Sequence, residues 1–542
     1  MNAKNFPLYL LFIFSFSLMS ADVDTAFPND QTSGSFNVTS GEYTVTFTGG
    51  EVRIAGESSL YRSGLRAFMV SNETAVITFS TPASELKFYI RQTSSANALV
   101  RLLDADDNEL LSMNAISSKW EEVHLVHAEG IHKVEFINTA SALAAIEDFE
   151  YTALVVEPPV TLTPIDNPIM ANIEEGAVKV HLTAIADGMV APLYGINAPG
   201  QTDYIYLIDQ VGVLYSFQIS TRQINVLLDV SDDLVTLSFG GDERGLLGLA
   251  FHPDFASNGF LYTYTSMPVS GNPDFSVTFG ADHHSVITEW HAVNDSGTGL
   301  NIELDSAREV LRIAQPQFNH NGGSLQFDQN NMLLISLGDG GGSDDQGDGH
   351  ADGGNGQDFM SPLGSIIRID PLLRTSANGQ YGIPVDNPFT NDNEVLDEAW
   401  VTGVRNPYRI SVEGNQVYVC DVGQNKIEEL SLVSGGENLG WPLKEGSFGF
   451  SQNDDADGFV YDPNSVQLPA GLTDPNWEYD HDEGSAIICG FVYQGEITAL
   501  NGKFIFGDYL SADLERGRLF YDSQSDLIAD IPVESGMDGK TL

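Results

Sequence analysis

The sequence predicts an all-β protein, a β-sandwich followed by a β-propeller, and three observations carry that prediction. Hydrophobic residues make up 42% and charged residues only 18% of 542 residues, with 53 glycines, the composition of a turn-rich globular chain. Short apolar–polar alternations broken by Gly, Asp and Asn recur through the first part, as in EYTVTFTGGEVRI and ELKFYIRQ. Further on, four segments share an apolar strand that ends on an aspartate: YIYLIDQVG at Asp209, LLISLGDGG at Asp339, VYVCDVGQ at Asp421 and KFIFGDYLS at Asp508. Repeated multi-strand units of this kind point to a radial propeller, although the uneven spacing alone leaves a stacked sandwich open.

The elements follow in order. Residues 1–21 carry Lys4, an apolar run from about Phe6 to Met19 and then Ser20 and Ala21, which reads as a secretory signal peptide. The expected product is secreted or periplasmic, with no membrane span. Residues 22–155 read as the β-sandwich, jelly-roll-like. Within it the DADDN turn, Asp104 to Asn108, reads as a solvated hairpin turn, with calcium binding the alternative. Residues 156–176 carry Pro158, Pro159, Pro164 and Pro168 and read as an extended linker. Residues 177–542 form the propeller.

Charge and cysteine content exclude some functions. Against 24 Lys plus Arg stand 76 Asp plus Glu, a formal charge of −52. Such a surface repels nucleic acid and anionic lipid. Cys420 and Cys489 are the only cysteines. In an exported chain they form either one disulfide or two buried thiols.

The stretches GGDERGLLGLAFHPDFASNGFLY, NHNGGSLQFDQNNMLLISLGDGG, VTGVRNPYRISV, YVCDVGQNKIEEL, NLGWPLKEG and FGDYLSADLERGRLFYD occur in that order. Together they resemble the soluble glucose/sorbosone dehydrogenase family over roughly residues 177–542. The resemblance implies a six-bladed propeller and a quinoprotein that uses pyrroloquinoline quinone (PQQ) with Ca²⁺. It equally implies kinship with hedgehog-interacting-type propellers, for which oxidation is not established. Relatives continue beyond SGMDGKTL into another strand-rich segment, so the final blade is expected to be incomplete. No residue of YLSADLERGRLF matches the lysine that holds the cofactor in the glucose enzymes; Arg516 and Arg518 lie nearby.

On this resemblance His320 is the general base for the sugar hydroxyl, a role suited to neutral imidazole. Gly322 and Gly323 let the backbone pass close to a flat cofactor. Asp339 orients His320 and stabilises the imidazolium. Arg405 and Asn406 contact the quinone, and Arg405 stabilises charge that develops on hydride transfer. Gly423 and Gln424 supply backbone oxygens to Ca²⁺, and Glu429 aligns with a second, structural calcium site. Glu243 stands where the glucose enzymes have a substrate-contacting glutamine; its alternatives are a surface acid or a partner for Arg244. Trp441 reads as core with stacking as its alternative, and His481 as a satisfied structural histidine with a second channel histidine as its alternative. The rest of the loop from Gly338 to Asp358 reads as a flexible excursion, in which Asp344, Asp345, Asp348 and Asp352 either are solvated or capture calcium.

The expected activity is oxidation of an aldose or related sugar to its lactone by hydride transfer to Ca²⁺-bound PQQ. Electrons then pass to a quinone, a cytochrome or a dye. The alternatives are a non-catalytic carbohydrate- or protein-binding propeller and a calcium-dependent lactonase.

Overall fold

A computed structural model describes parts of residues 36–153, and residues 162–531 apart from 181, 183, 239–240, 278–279, 453–457, 510–517 and 525–526. The expected signal peptide, Arg516 and the segment SGMDGKTL lie outside the described residues. The chain divides into two compact units, residues 1–160 and 161–542.

The first unit is built from β1 (Phe36–Ser40), β2 (Tyr43–Thr48), β3 (Glu51–Ile54), β4 (Arg66–Val70), β5 (Glu73–Gln92), β6 (Ala98–Leu103), β7 (Glu109–Asn114), β8 (Glu121–Asn138) and β9 (Ala144–Ala153). The long strands β5 and β8 pair along both of their halves, with register shifts between Thr78 and Glu85. Before the shift β5 pairs with β2; after it, with β9. Strands that bend at such bulges pass from one layer to another. Ile77, Leu86, Phe88, Val100, Val134 and Phe136, from both halves, bury into one core. The Asp104–Asn108 turn is closed by its own groups: Asp104 accepts from the Asn108 backbone and side-chain nitrogens, both at 2.8 Å.

The second unit is a series of antiparallel meanders. The first sheet holds β10 (Pro192–Ile196), β11 (Tyr204–Asp209), β12 (Val213–Gln218) and β13 (Gln223–Asp229). The second holds β14 (Leu246–Phe251), β15 (Phe260–Met267), β16 (His283–Asp295) and β17 (Gly299–Gln315). The third holds β18 (Leu325–Phe327), β19 (Leu333–Leu337), β20 (Ser365–Ile369) and β21 (Ala399–Thr402). The fourth begins with β22 (Arg409–Glu413), β23 (Gln416–Asp421) and β24 (Ile427–Val433). A small sheet of β25 (Lys444–Glu445), β26 (Phe448–Ser451) and β27 (Phe459–Tyr461) is then inserted before the fourth strand, β28 (Trp477–Asp480). The last sheet holds β29 (Ile487–Val492), β30 (Phe504–Asp508), β31 (Arg518–Gln524) and β32 (Leu527–Asp530).

The first strand of each sheet lies beside the first strand of the next, from β10 through β14, β18 and β22 to β29. Separate apolar clusters fill the spaces between consecutive sheets. Tyr206 and Leu214 meet Leu249 and Trp290 in the first gap. Tyr264 and Ile287 meet Leu333, Ile335 and Ile367 across the second. Leu334 and Ile366 meet Val417 and Val419 in the gap after it. Tyr418, Leu430 and Trp477 meet Phe504, Phe506 and Phe520 in the last. The arrangement is propeller-like. Among the described residues there are five four-stranded sheets where six blades were expected. The three-stranded insert of β25 to β27 lies between β24 and its partner β28 and adds no four-stranded sheet.

Cys420 on β23 and Cys489 on β29 are joined in a disulfide, so the alternative of two free thiols is set aside. Of the stretch read as a linker, Pro158 and Pro159 lie outside the described residues, and residues 162–176 are held on the second unit. Ile165 N donates to Val460 O at 3.0 Å, Ile169 N to Asp480 at 3.1 Å and Ile173 N to Glu483 at 2.7 Å.

The four repeat aspartates all lie at or just beyond the end of the second strand of their sheets, and all are buried. Asp209 accepts from Val190 N and Ala191 N, Asp421 from Arg405 N and Asn406 N, and Asp508 from Ala486 N. Each of these three thereby ties down the backbone that leads into the first strand of its own sheet. Asp339 does something else.

Candidate functional site

His320 lies in the connection from β17 to β18, with its backbone in the left-handed region at φ 52°. Its Nδ1 is 2.8 Å from Asp339 Oδ1, and its Nε2 is 2.9 Å from Arg405 Nη2. Arginine donates and never accepts, so Nε2 is the acceptor and the ring proton sits on Nδ1, facing Asp339. The carboxylate of Asp339 is held in turn by Gly341 N and by Trp441 Nε1, both at 2.9 Å. Its backbone oxygen accepts from Asn355 at 2.7 Å. Burial alone would push Asp339 up, but the charge and bond of His320 and the charge of Arg405 hold it below the usual carboxylate range.

Arg405 reaches this point from the turn before β22. Its Nη1 donates to Val422 O at 2.8 Å and Gly423 O at 2.9 Å, and its guanidinium lies 5.6 Å from the Trp441 ring centre. The turn itself is pinned by Asp421, which accepts from Arg405 N at 2.8 Å and Asn406 N at 2.6 Å. Burial pushes the Asp421 carboxyl up to about 7 against the pull of those two N–H groups.

Glu243 joins the two loops. Its Oε2 accepts from His320 N at 2.8 Å and from Asn406 Nδ2 at 3.0 Å, while Asn406 Oδ1 accepts from Gly322 N at 3.3 Å. It is neither a surface acid nor the partner of Arg244, which pairs with Asp242 and Asp282. The two glycines have a packing reason. A Cβ on Gly322 would stand 2.7 Å from Ser336 O, and one on Gly323 would stand 2.6 Å from the Leu247 side chain. His320, Asp339, Arg405 and Asn406, all buried, therefore meet the partly buried Glu243 and the Gly423 carbonyl in one network.

Other expected residues stand apart from it. The Gln424 side chain bonds Asp344, accepting from its backbone N at 2.6 Å. Glu429 is buried and accepts from Gly446 N at 2.6 Å, and burial together with the charge of Asp421 pushes its carboxyl well up. His481 pairs with Glu428 at 2.9 Å, as a structural histidine would. Arg518 pairs with Glu483.

The loop from Gly338 to Asp358 is not a flexible excursion. Asp344 accepts from Gly458 N at 2.9 Å and from the Gln424 side chain. Asp345 accepts from Asn355 N and Gly356 N, both at 2.8 Å, and lies 2.7 Å from His350 Nδ1. Asp348 and Asp352 are exposed. The buried carboxylates are thus committed to N–H groups, and among the described residues no group of three or more His, Cys, Asp or Glu is placed to hold a metal ion.

Sequence reasoning missed Trp441 as a donor to Asp339, Asn355 as a prop of the same residue, and the Val422 carbonyl. The tryptophan had a signal only as an aromatic near the site. The other two roles depend on contacts that no local pattern displays.

Fold and site together define a propeller-like all-β protein that keeps a polarised imidazole between a carboxylate and a guanidinium. The chain belongs to the Glucose / Sorbosone dehydrogenase family, whose profile matches residues 216–528. It is 30% identical to the HIPL2 protein of Arabidopsis thaliana, over 50% of this chain and 42% of that protein. It is 26% identical to the human Hedgehog-interacting protein, over 60% of this chain and 42% of that one. To the aldose sugar dehydrogenase YliI of Escherichia coli it is 25% identical, over 43% of this chain and 54% of the enzyme. The chain spans about half the length of the curated relatives it matches. The solved PQQ-bound aldose sugar dehydrogenase of Streptomyces coelicolor aligns at a TM-score of 0.45 and 21% identity, over 66% of this chain and 85% of that one. No helix among the described residues is long and apolar enough to cross a membrane.

The residues fit the two expected groups differently. An anionic quinone suits the site, because the Arg405 guanidinium carries no carboxylate partner in the network and its Nε has no hydrogen-bond partner among the described residues. Ca²⁺ finds no assembled donor set here: the Gly423 carbonyl already accepts from Arg405, Glu429 is bonded to Gly446 N, and among the described residues no group of three or more His, Cys, Asp or Glu is placed to hold a metal ion.

Proposed function

We propose that the second unit is a PQQ-dependent sugar dehydrogenase that oxidises an aldose or related sugar to its lactone, with His320 as the base. The observation that supports this reading is the imidazole itself: Nδ1–H faces Asp339, which leaves the lone pair on Nε2 to take a proton. Arg405 and Asn406 are the residues that would hold the cofactor. When bound, PQQ supplies the electrophilic quinone carbonyl that takes the hydride from the sugar carbon.

The chain's own groups account for the rest. The sugar hydroxyl takes the place of Arg405 Nη2 at His320 Nε2 and gives up its proton there. Asp339 stabilises the imidazolium so formed, and Trp441 and Gly341 keep its carboxylate aimed at Nδ1. Arg405, anchored through Nη1 on Val422 O and Gly423 O, keeps its positive charge beside the oxygen that becomes negative. No step is assigned to Ca²⁺. Electrons leave to an external quinone, cytochrome or dye. The exported location expected from residues 1–21 belongs to the same proposal.

A second reading is a propeller that binds a carbohydrate or protein without oxidising it. The contact between Arg405 and His320 favours it, because the guanidinium closes the base. Purified protein is loaded with PQQ, with and without added Ca²⁺, and dye reduction is followed against a panel of aldoses. We expect reduction with at least one sugar, lost by at least about a hundredfold in His320→Ala, within the range of general-base contributions of about 10²–10⁴. PQQ binding seen by its absorbance without dye reduction for any sugar rejects the oxidation and leaves the binding reading.

A further inference from the structure

The loop from Gly338 to Asp358 contributes to two carboxylate–imidazole pairs. One is Asp339 with His320, assigned above to the reaction. The other is Asp345 with His350, and the proposed reaction makes no use of it. The His350 side chain is 1% exposed and that of Asp345 fully buried, with Nδ1 of His350 at 2.7 Å from Asp345 Oδ1. Burying two titratable groups is costly unless well-made bonds offset it. A loop that only joins two strands has no need of such a pair.

The bonds of the second pair lead to the first by two routes. Asp345 accepts from Asn355 N through Oδ1 and from Gly356 N through Oδ2, both at 2.8 Å. The Asn355 side chain donates to Asp339 O at 2.7 Å and to Gly349 O at 3.2 Å, and it accepts from Ala351 N at 3.0 Å. That route ends on the peptide of Asp339. The second route ends on the loop that carries His320, because His350 Nε2 lies 3.5 Å from Nε2 of Gln317. The two loops touch closely along the same line. A Cβ on Gly341 would stand 2.5 Å from Asn319 Oδ1 and 2.7 Å from the Gln317 side chain, and one on Gly342 would stand 3.0 Å from Gln317 Nε2.

We propose that Asp345 and His350 are positioning residues for His320. Asp345, acting through Asn355, fixes the peptide of Asp339, and His350 fixes the loop that brings the imidazole to it, so that the Asp339 carboxylate stays on Nδ1–H. The chemistry for which His320 is held rests on the function proposed above; the positioning itself does not.

The test follows solvent exchange of three ring N–H protons in the full chain, labelled with nitrogen-15 at histidine and tryptophan. His320 Nδ1–H and Trp441 Nε1–H both bond Asp339, whereas Trp290 Nε1–H bonds Thr263 Oγ1 at 2.9 Å on the second sheet. His320→Ala identifies the histidine signal by removing it. In Asp345→Asn the two protons on Asp339 are expected to exchange at least about fivefold faster than in the wild type, the equivalent of one net hydrogen bond, with Trp290 unchanged. All three faster by the same factor would mean general loosening and would overturn the proposal, as would no change in any of them. Should Asp345→Asn not fold, His350→Gln is read by the same three protons and the same outcomes. The readout needs no turnover, so a wild type that reduces no dye fails the proposed function and leaves this result standing.

Discussion

Gly338→Ala tests whether the candidate site is built by close backbone approach. Gly338 follows the strand that leads to Asp339, and its φ is not in the left-handed region, so alanine meets no backbone strain there. Space is the obstacle. A Cβ would stand 2.8 Å from Arg405 O and closer still to His320 O, inside the 3.0 Å that real Cβ atoms keep from their neighbours. Both obstacles are backbone, so no side chain can swing away. Relief requires the His320 and Arg405 loops to move off β19, which lengthens the bonds from Asp339 N to Arg405 O and from Gly364 N to Gly338 O, both 2.8 Å. Overpacking a filled interior costs roughly 1–3 kcal/mol. Two weakened backbone hydrogen bonds add about 1 kcal/mol each. The expected loss is therefore about 3–5 kcal/mol, a large share of the stability of an ordinary domain. Trp290, Trp400, Trp441 and Trp477 all lie in the second unit, so tryptophan fluorescence during urea unfolding reports on it. Gly280→Ala is the control, because a Cβ there meets nothing within 4 Å. A Gly338→Ala variant within about 0.5 kcal/mol of the wild type would refute the reasoning, since surface changes alone fall in that range.

Two further outcomes rest on contacts elsewhere in the second unit. Burial lowers the His350 imidazole, but its bond to Asp345 and the charges of Asp339 and Asp345 raise it above the ordinary value of 6.5 overall. A histidine raised in the folded state contributes stability that is complete below its unfolded value and lost as pH rises through the folded one. The loop from Gly338 to Asp358 should therefore become more open to limited proteolysis as pH climbs above 6.5, and His350→Gln should flatten that dependence; a wild-type profile as flat as the variant's contradicts the pairing. Reduction of the Cys420–Cys489 bond, which closes a separation of 69 residues, should lower the unfolding free energy by roughly 4 kcal/mol through the freed unfolded chain, read as a fall in the urea midpoint with reductant.

Much of the architecture was legible because it is written locally. Alternation marks the strands, and the order of short motifs brings His320, Asp339 and Arg405 together. What stayed hidden depends on partners far along the chain. Local composition makes the Gly/Asp loop look solvated, yet the partners of Asp344 are Gln424 and Gly458, 80 and 114 residues away. Gly340, Gly341, Gly342, Gly347 and Gly349 all have positive φ, so the loop's glycines serve tight turning and not disorder. The bonds of Glu243 were hidden for the same reason: its two donors come from loops 77 and 163 residues away. The blade count is a different case, since six came from the family resemblance and not from the spacing of the strands in this sequence.

The repeat aspartates give the strongest internal argument that the site is more than packing. Asp209 and Asp421 share both a position and a role, in which a buried carboxylate accepts two N–H groups that lead into the first strand of its sheet, and Asp508 accepts one such N–H beside the Tyr479 hydroxyl. That role is structural, and three of the five four-stranded sheets have it. Asp339 comes at the corresponding point of its sheet and does not fill the role. Instead of entering-strand amides, its oxygens take the ring N–H of His320, the indole N–H of Trp441 and one amide of its own turn. Two of those three donors are side chains, so the third sheet gives up a backbone clamp and fixes the orientation of an imidazole. Under the proposed function that exchange has a use, since it holds one imidazole nitrogen protonated and leaves the other bare.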